Sequence, residues 1–486
     1  MTQPINSSGS TRHPALAAAF SFVFPGAGQA YNGNRQLAAV FALPVVALAL
    51  VALVAVNLAG HQLLNSLLSA SFLTALIALD VALLGWRSLS IVHAGVVPAR
   101  GVAAGRPLVT KVIVALLVVL TFGMHAWAGI TVTQLNGTLG SVFSGGDPGN
   151  QPAGTGRRPL NTPDYAWDGT ARINFLLLGI DSAPQRGDEA LTDTILVVSV
   201  DPVAGDAVMI SVPRDTGFLP LPDGRIYEDG LYPKKINALS TEARENASLW
   251  CPDLPEAAAE ACGLRTVERS VGLYLGINIQ YYATVDLGGF VHLIDSIGKL
   301  TLCLPGRLVD PTYNSPGDTW KPTKGVVLPA GCSEYDGIYA LAYARARKGY
   351  LELPDGTHQV LDDFQRAERQ QQVLLELRRQ LANLNPLFGL GPMLQAIGAT
   401  VHTDFPRAKA GDLASLLPLI TSNDIKRVVL GLPRFVDPPV DPQANYMLIA
   451  RRDKVRAEMR RIFGREHLDG WYLTTDGGPP STQSAS

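Results

Sequence analysis

The sequence has few charged residues and no cysteine in its first half. Asp, Glu, Lys and Arg make up 17% of the 486 residues, against about 25% in typical soluble domains, and 47% of the residues are apolar. This composition indicates a membrane-associated protein. The four cysteines are Cys251, Cys262, Cys303 and Cys332, so we expect the second half to fold in a compartment where thiols are oxidised.

The sequence also lacks a charge excess and the common catalytic motifs. Its 40 basic residues oppose 42 acidic ones, which leaves no long-range field to attract a nucleic acid, and we expect no nucleic-acid partner. No HExxH, GxSxG, P-loop or C-x-x-C motif occurs. The sequence therefore argues against a zinc hydrolase, a serine hydrolase and a thiol oxidoreductase.

Long apolar runs are present in the first 133 residues. Residues 37–59, 63–85 and 112–132 are each long enough to cross a hydrocarbon core of about 30 Å. We predict three transmembrane helices, with the bilayer as a partner. We expect Asp80, the one internal charge, to lie near a helix end and reach the interface, and His125 to be packed or interfacial rather than a ligand.

The basic residues predict the orientation of these helices. Arg12 and Arg35 precede the first helix, and several more basic residues separate the second from the third. This pattern places the N-terminus inside and everything after about residue 134 outside. Residues 14–31 are also apolar but contain Pro25, Gly26 and Gly28, so we expect them to be interfacial or re-entrant. A fourth crossing there would reverse the sidedness.

The rest of the chain divides by composition. Residues 134–170 are rich in Gly, Pro, Ser and Asn and predict a flexible linker, and residues 471–486 predict a disordered tail. Between them, residues 171–470 suffice for one large domain. Strands are predicted at residues 173–180, 194–200, 207–212, 281–285 and 299–304, the second and third as a hairpin, and helices at 287–297, 336–343 and 363–384. The fold class is α/β.

Charged residues lie where these elements end. Asp181 follows the first strand, Asp193 opens the second, and Arg214 and Asp215 follow the third, so strand pairing would bring two carboxylates and an arginine to one rim. Paired carboxylates suit Mg²⁺, which takes oxygen ligands. The alternative is that each Asp is a turn or helix-capping residue.

A second set of charged residues is basic. Arg345 and Arg347 would share one face if their segment is extended, and Arg366, Arg369 and Gln370 share one face of the last predicted helix. Converging arginines are costly without an anion, and their paired N–H donors suit phosphate or pyrophosphate. The alternative is a solvated helix face. For the cysteines, two local disulfides are the simplest of three possible pairings.

Together these segments resemble the LytR-CpsA-Psr family of bacterial cell-wall enzymes, over about residues 173–463. The resemblance is carried by residues 174–181, 192–195, 211–216, 235–238, 336–347 and 363–371 in this order. It implies a central mixed sheet flanked by helices, with an apolar pocket for a polyprenyl tail, on the outer side of the cytoplasmic membrane. It also implies transfer of a glycopolymer from a polyprenyl-pyrophosphate carrier to peptidoglycan, with formation of a phosphodiester.

The resemblance further implies roles for single residues. Asp181 and Asp193 would hold Mg²⁺. The residues that would bind the pyrophosphate are Arg214, Arg345, Arg347, Arg366, Arg369 and Gln370. The catalytic residues would be Asp193, Arg214, Asp215, Arg345 and Arg347. Asp193 and Asp215 are the alternatives for the general base.

The sequence departs from the family pattern at two places. Leu191 stands where the family usually has an arginine, two residues before Asp193, and Arg186 is the residue that would replace it. Residues 246–264, which include Cys251 and Cys262, look like an insertion. The departure at Leu191 keeps open an alternative function, a catalytically weak protein that binds polyprenyl pyrophosphate and regulates envelope assembly.

Overall fold

The computed structural model forms two compact units, which divide between Gly137 and Thr138. The structure describes residues 13–58, 66–97, 107–143, 172–181, 191–201, 205–222, 226–252, 254–255, 258–314, 324–382, 397–398, 400–410, 412, 425–439 and 446–464. The predicted tail, most of the predicted linker and Arg186 lie outside the described residues.

The N-terminal unit is helical. Its described helices are α1 (Pro14–Val23), α2 (Ala27–Tyr31), α3 (Arg35–Leu58), α4 (Ala70–Val96) and α5 (Pro107–Val142). Three of them are long and apolar enough to cross a membrane, over Arg35–Ala55, Ala70–Val96 and Leu108–Val142. The three predicted membrane helices are therefore present.

Two of these helices end elsewhere than predicted. The second runs over Ala70–Val96 instead of 63–85, so Asp80 lies well inside it and not near its end. There Asp80 Oδ1 meets His125 Nδ1 at 2.7 Å. The third continues to Val142, so residues 134–142 are helical and the predicted linker began too early. The predictions ended these helices where the apolar runs end, at residues 85 and 132, but a helix can continue through the polar residues that follow an apolar run.

The segment before the first span is a helical hairpin. α1 has ten residues, fewer than a membrane crossing needs. Gln29 is buried, donates from Nε2 to the Ser90 carbonyl (2.9 Å) and accepts from the Ser21 hydroxyl (3.0 Å). A Cβ at Gly28 would lie 2.0 Å from the Ala17 carbonyl oxygen, so glycine permits the close contact between α1 and α2.

The C-terminal unit is α/β, as predicted. Its strands are β1 (Ile173–Asp181), β2 (Leu191–Val200), β3 (Ala207–Ser211), β4 (Thr216–Gly217), β5 (Leu219–Pro220), β6 (Leu231–Tyr232), β7 (Tyr281–Asp286), β8 (Leu300–Leu304), β9 (Arg307–Asn314), β10 (Lys324–Leu328), β11 (Gly331–Tyr335), β12 (Tyr350–Glu352), β13 (His358–Val360), β14 (Val401–Thr403), β15 (Lys426–Val429), β16 (Val436–Asp437) and β17 (Leu448–Ala450). The α-helices described in this unit are α6 (Leu239–Glu245), α7 (Ala247–Trp250), α8 (Ala259–Leu275), α9 (Leu287–Ser296), α10 (Gly337–Arg345), α11 (Asp363–Ala382) and α12 (Arg452–Phe463).

A six-stranded mixed sheet organises this unit. Its order is β14-β7-β1-β2-β3-β15; β1 pairs antiparallel to β2 and parallel to β7, and β2 and β3 form the predicted hairpin. The central strands β1, β2 and β3 are almost entirely buried because they carry continuous apolar runs with layers on both faces. The predicted mixed sheet flanked by helices is confirmed.

Two apolar cores hold the unit together. The first joins the central sheet to α8 and α12 through Leu176, Val197, Val271 and Met459 among others. The second lies around α9, α10, α11 and β8. The charged residues described below lie where segments belonging to the two cores meet.

Both predicted disulfides are confirmed. Cys251 is bonded to Cys262 and Cys303 to Cys332. The first ties the residue after α7 to α8, and the second joins directly opposed residues of β8 and β11. Among the described residues there is no free cysteine.

Candidate active site

The site begins at one end of the β1–β2 ladder. Asp181 is the last residue of β1 and is paired with Leu191 at the start of β2. The register shifts between Gly179 and Ile180, and such a bulge redirects the side chains after it. A Cβ at Gly179 would lie 2.8 Å from Thr194 Cβ, so glycine allows the two strands to approach. Asp181 and Asp193 are both buried at this end.

Arg345 connects the two carboxylates. Its Nη2 lies 2.9 Å from Asp181 Oδ2 and 3.7 Å from Asp193 Oδ2. Arg345 is the last residue of α10, far from β1 in sequence. The predicted convergence of Asp181 and Asp193 is present, and the cation at their meeting point is an arginine.

Arg214 binds the other side of Asp193. It follows β3, and its Nη1 donates to Asp193 Oδ1 at 2.5 Å. Arg214 Nε lies 3.8 Å from Asp215 Oδ2, and Asp215 Oδ1 lies 3.0 Å from Lys235 Nζ. Lys235 belongs to a motif that carries the resemblance, but the sequence alone does not give it a role.

Asp363 lies among three arginines. It is the first residue of α11, and its Oδ2 is 3.1 Å from Arg366 Nη2. Its Oδ1 is 3.9 Å from Arg214 Nε and 3.8 Å from Arg347 Nη1. The side chain is only 13% exposed. The sequence prediction also missed this residue, since its significance depends on three segments distant in the chain.

These residues form one continuous group of ion pairs, called here the charged cluster. Its members are Asp181, Asp193, Arg214, Asp215, Lys235, Arg345, Arg347, Asp363 and Arg366. The cluster has five cationic and four anionic side chains. Arg366 contacts the Asp363 carboxylate and its side chain is 6% exposed, which excludes the alternative of a solvated helix face for this residue.

Burial and ion pairing act in opposite directions on the pKa values here. Burial acts to raise the pKa of Asp193, but the guanidinium groups of Arg214, Arg366 and Arg345 outweigh it and leave the pKa below its usual value. For Asp363 burial prevails over Arg366 and Arg214, and the pKa is raised. Burial also lowers the pKa of Arg366 to about 10, a value at which the guanidinium remains charged at neutral pH.

The turn after α10 is fixed from two sides. Asp310, on β9, accepts the backbone N–H groups of Arg347 and Lys348, each at 3.0 Å. Arg369 donates from Nε to the Tyr343 carbonyl at 2.9 Å and from Nη2 to the Ala346 carbonyl. Residues 342–345 are helical, so the condition that Arg345 and Arg347 lie on an extended segment is not met, and both side chains instead line one small cavity of about 160 Å³.

The remaining predicted residues have distinct positions. The donors of Arg369 that are described above bind backbone carbonyls, so the guanidinium positions the turn. Gln370 is half-buried one turn after Arg366 on α11. Leu191 is half-buried opposite Asp181, where a longer basic side chain would extend toward the cluster.

The sequence of this unit matches a known family. A sequence model of the LytR_cpsA_psr family covers residues 154–457, more than half of the chain. The chain belongs to the LytR-CpsA-Psr family. The resemblance inferred from the motifs is confirmed.

Relatives within this family have cell-wall and regulatory names. The cell wall biosynthesis protein LcpA of Corynebacterium glutamicum is 30% identical over 304 residues, which is 58% of this chain and 52% of LcpA. The regulatory protein MsrR of Staphylococcus aureus is 30% identical over 237 residues, 48% of this chain and 57% of MsrR. The chain thus spans little more than half the length of these LytR-CpsA-Psr relatives. The crystal structure of B. subtilis TagV gives a TM-score of 0.43 at 22% identity, over 60% of this chain and 97% of TagV.

Proposed function

We propose that this protein is a membrane-anchored phosphotransferase that moves a glycopolymer from a polyprenyl-pyrophosphate carrier to peptidoglycan. The observation that carries the proposal is the convergence of Arg214, Arg345, Arg347 and Arg366 beside two paired carboxylates. Family membership and the relative LcpA, named for cell-wall biosynthesis, support a cell-wall glycopolymer as the substrate class. Oriented arginine donors suit the non-bridging oxygens of a pyrophosphate.

The proposed reaction is a single displacement at phosphorus. A hydroxyl oxygen of a peptidoglycan sugar bonds to the phosphorus that carries the glycopolymer. The bond from that phosphorus to the bridging oxygen breaks, and polyprenyl phosphate leaves with the electron pair. Such reactions are accelerated mainly by positioning and by neutralising charge on the phosphoryl oxygens, which is the part we assign to Arg214, Arg345 and Arg347.

The hydroxyl proton requires an acceptor. Of the two carboxylates that the sequence left open, Asp193 has a lowered pKa and accepts hydrogen bonds from Arg214, and both features make it a weak base. Asp215 is the remaining alternative. Its Oδ1 lies 3.0 Å from Lys235 Nζ.

Asp181 and Asp193 are the residues that we propose to hold Mg²⁺. Their Oδ2 atoms already meet at one cation, Arg345 Nη2, and carboxylate oxygens are the ligands that Mg²⁺ prefers. Within the described part of the chain no group of three His, Cys, Asp or Glu side chains forms a metal site. Two carboxylates still fit Mg²⁺, which usually keeps waters and substrate phosphate oxygens as its other ligands. Bound there, it would neutralise charge on the pyrophosphate.

A transfer assay tests the proposed function. Full-length protein in detergent is given a synthetic polyprenyl-pyrophosphate glycan, Mg²⁺ and peptidoglycan, and released polyprenyl phosphate and glycan-linked peptidoglycan are both measured. We expect release that depends on the acceptor. Release with water as the acceptor, yielding free glycan phosphate, would instead identify a lipid pyrophosphatase.

A second function has one observation in its favour. Leu191 replaces the usual family arginine next to Asp181, and a relative carries a regulatory name, MsrR. A protein that binds polyprenyl pyrophosphate without transferring the glycan would act in regulation. Binding of the synthetic lipid without release of polyprenyl phosphate, in the presence of Mg²⁺ and acceptor, would establish this alternative.

A further inference from the structure

The position of Asp363 is unusual for a residue in a site that binds anions. The carboxylate of Asp363 contacts three of the four arginines that converge at the proposed pyrophosphate site. One contact is close, to Arg366 at 3.1 Å, and two are longer, to Arg214 at 3.9 Å and Arg347 at 3.8 Å. The two longer contacts exceed hydrogen-bond distance, so they are electrostatic and readily replaced by a better acceptor.

The charge balance of the charged cluster also draws attention to Asp363. Five cations and four carboxylates leave one net positive charge, whereas a pyrophosphate diester carries two negative charges. Asp181 and Asp193 share another partner, because their Oδ2 atoms both contact Arg345. Asp215 has its own partner in Lys235 at 3.0 Å. Asp363 is the carboxylate in the cluster that contacts three arginines, Arg214, Arg347 and Arg366.

Asp363 is not needed to begin its helix. The carboxylate of Asp362 accepts the Gln365 N–H at 2.7 Å and so caps the first turn of α11. Asp362 is exposed, whereas Asp363 faces the arginines. The carboxylate of Asp363 is thus available for an electrostatic role.

We propose that Asp363 is an internal counter-ion that competes with the ligand's phosphate groups for Arg214 and Arg347. This inference rests on the proposed function, because it concerns the same anion site. When the pyrophosphate binds, its oxygens replace Asp363 at the two longer contacts. When the anionic product leaves, Asp363 regains them, so Arg347 has a carboxylate partner again and Arg214 has a second one beside Asp193. The carboxylate therefore limits how tightly the product is held.

A binding experiment with simple anions tests this inference. Full-length protein in detergent is titrated by calorimetry with inorganic pyrophosphate and, separately, inorganic phosphate, in magnesium-free buffer. We expect Asp363→Asn to bind both anions about tenfold more tightly than the wild type, the effect of about one charge-assisted hydrogen bond. Asp363→Glu retains the charge and should stay close to the wild type.

Two matched controls separate this effect from general ones. Glu334→Gln removes the same charge from an exposed position on β11 and should leave anion affinity within about twofold of the wild type, because distant exposed charges are screened. In the transfer assay, Asp363→Asn should be inhibited by added polyprenyl phosphate at lower concentration than the wild type. If Asp363 only organised the arginines, Asp363→Asn would bind the anions more weakly than the wild type.

The possible failures are distinguishable. If the wild type binds pyrophosphate and Asp363→Asn binds it more weakly while its unfolding temperature is unchanged, the counter-ion inference is wrong and the proposed function stands. If Asp363→Asn does not fold, an Asp363→Glu variant with altered anion affinity in either direction beyond about threefold would also contradict simple charge competition. If no variant binds either anion, the counter-ion inference is overturned, and the transfer assay, which contains Mg²⁺, decides the proposed function separately.

Discussion

At the scale of single residues, the charged cluster combines burial with opposite charges at short distance. Arg214 is 11% exposed and contacts Asp193, Asp215 and Asp363. Removing one member of such a network leaves the others as buried charges without compensation. Substitutions here should therefore affect the site far more than the same substitutions on the surface.

Arg214→Ala should abolish transfer. We expect release of polyprenyl phosphate to fall by about a hundredfold or more, since the donor acts on charge at the phosphoryl group in a buried site. The transfer assay described above measures it. Arg307→Ala is the control, because Arg307 is half exposed and pairs with Glu352 on the surface. Equal activity of Arg214→Ala and the wild type would contradict the assigned role.

Leu191→Arg should change transfer by less than about threefold, because four arginines already supply donors to the site and a partly exposed fifth adds little. The variant is compared with Leu191→Gln, which is similar in length and uncharged. A gain of a hundredfold or more would show that the natural site is degenerate, and would favour the regulatory function.

Much of the site could be predicted at this scale. Asp181, Asp193 and Arg214 lie at strand ends that the apolar runs define, so sequence periodicity alone placed them together. Lys235, Asp310 and Asp363 could not be given roles. Each acts on residues that come from other segments, and the contacts depend on how α10 and α11 pack near β1 and β3.

At the scale of elements, the position of the turn after α10 determines the site. The alternation of Ala and Arg in residues 344–347 has the period of a strand, yet α10 extends to Arg345. Asp336 caps this helix by accepting the Tyr339 N–H, and Asp295 from α9 accepts the Gly337 N–H. The second contact is tertiary and overrides the local pattern. The main strands were predicted correctly because buried apolar runs are an unambiguous signal.

Asp310→Asn should loosen the turn after α10 and make the stability of the protein less sensitive to acid. Burial acts to raise the pKa of Asp310, but the N–H groups of Lys348 and Arg347 outweigh it and lower the pKa. The stabilisation is therefore full above the ordinary value near 3.8 and is lost as the pH falls through the lowered value. We expect the free energy of unfolding of Asp310→Asn to be about 1–3 kcal/mol lower than that of the wild type at neutral pH.

Thermal unfolding followed by tryptophan fluorescence between pH 3 and 7 measures both effects. The difference between Asp310→Asn and the wild type should shrink toward pH 3. A difference that stays constant with pH would show that the Asp310 carboxylate does not need to be ionised. Arg369→Lys, which acts on the same turn without titrating in this range, is the comparison.

In the membrane unit, the pair Asp80 and His125 joins α4 to α5. Its 2.7 Å contact lies within both spans, where few competing partners exist. We expect Asp80→Leu to destabilise the detergent-solubilised protein against SDS by about 1–2 kcal/mol, the range for hydrogen bonds between membrane helices. Thr133→Ala is the control, since its hydroxyl bonds only within α5, to Gly129. An unchanged SDS midpoint would exclude a stabilising role for the pair.

At the scale of the whole molecule, topology and redox chemistry have to agree. Three spans and an inside N-terminus would place the C-terminal unit outside, and two disulfides are expected on that side. The substrate class proposed here also requires it, since peptidoglycan lies outside the membrane. Among the described segments, the hairpin α1–α2 is the one whose behaviour could change the parity, and α1, with ten residues, is too short to cross.

Labelling in intact cells tests the sidedness directly. All four native cysteines are paired, so a single added cysteine is the one reactive thiol. Asp355→Cys lies on an exposed turn of the C-terminal unit, and His13→Cys precedes α1. A membrane-impermeant maleimide should label the first in intact cells and the second only after lysis. The reverse pattern would place the charged cluster inside, out of reach of peptidoglycan, and would rule out the proposed transfer whatever the cluster binds.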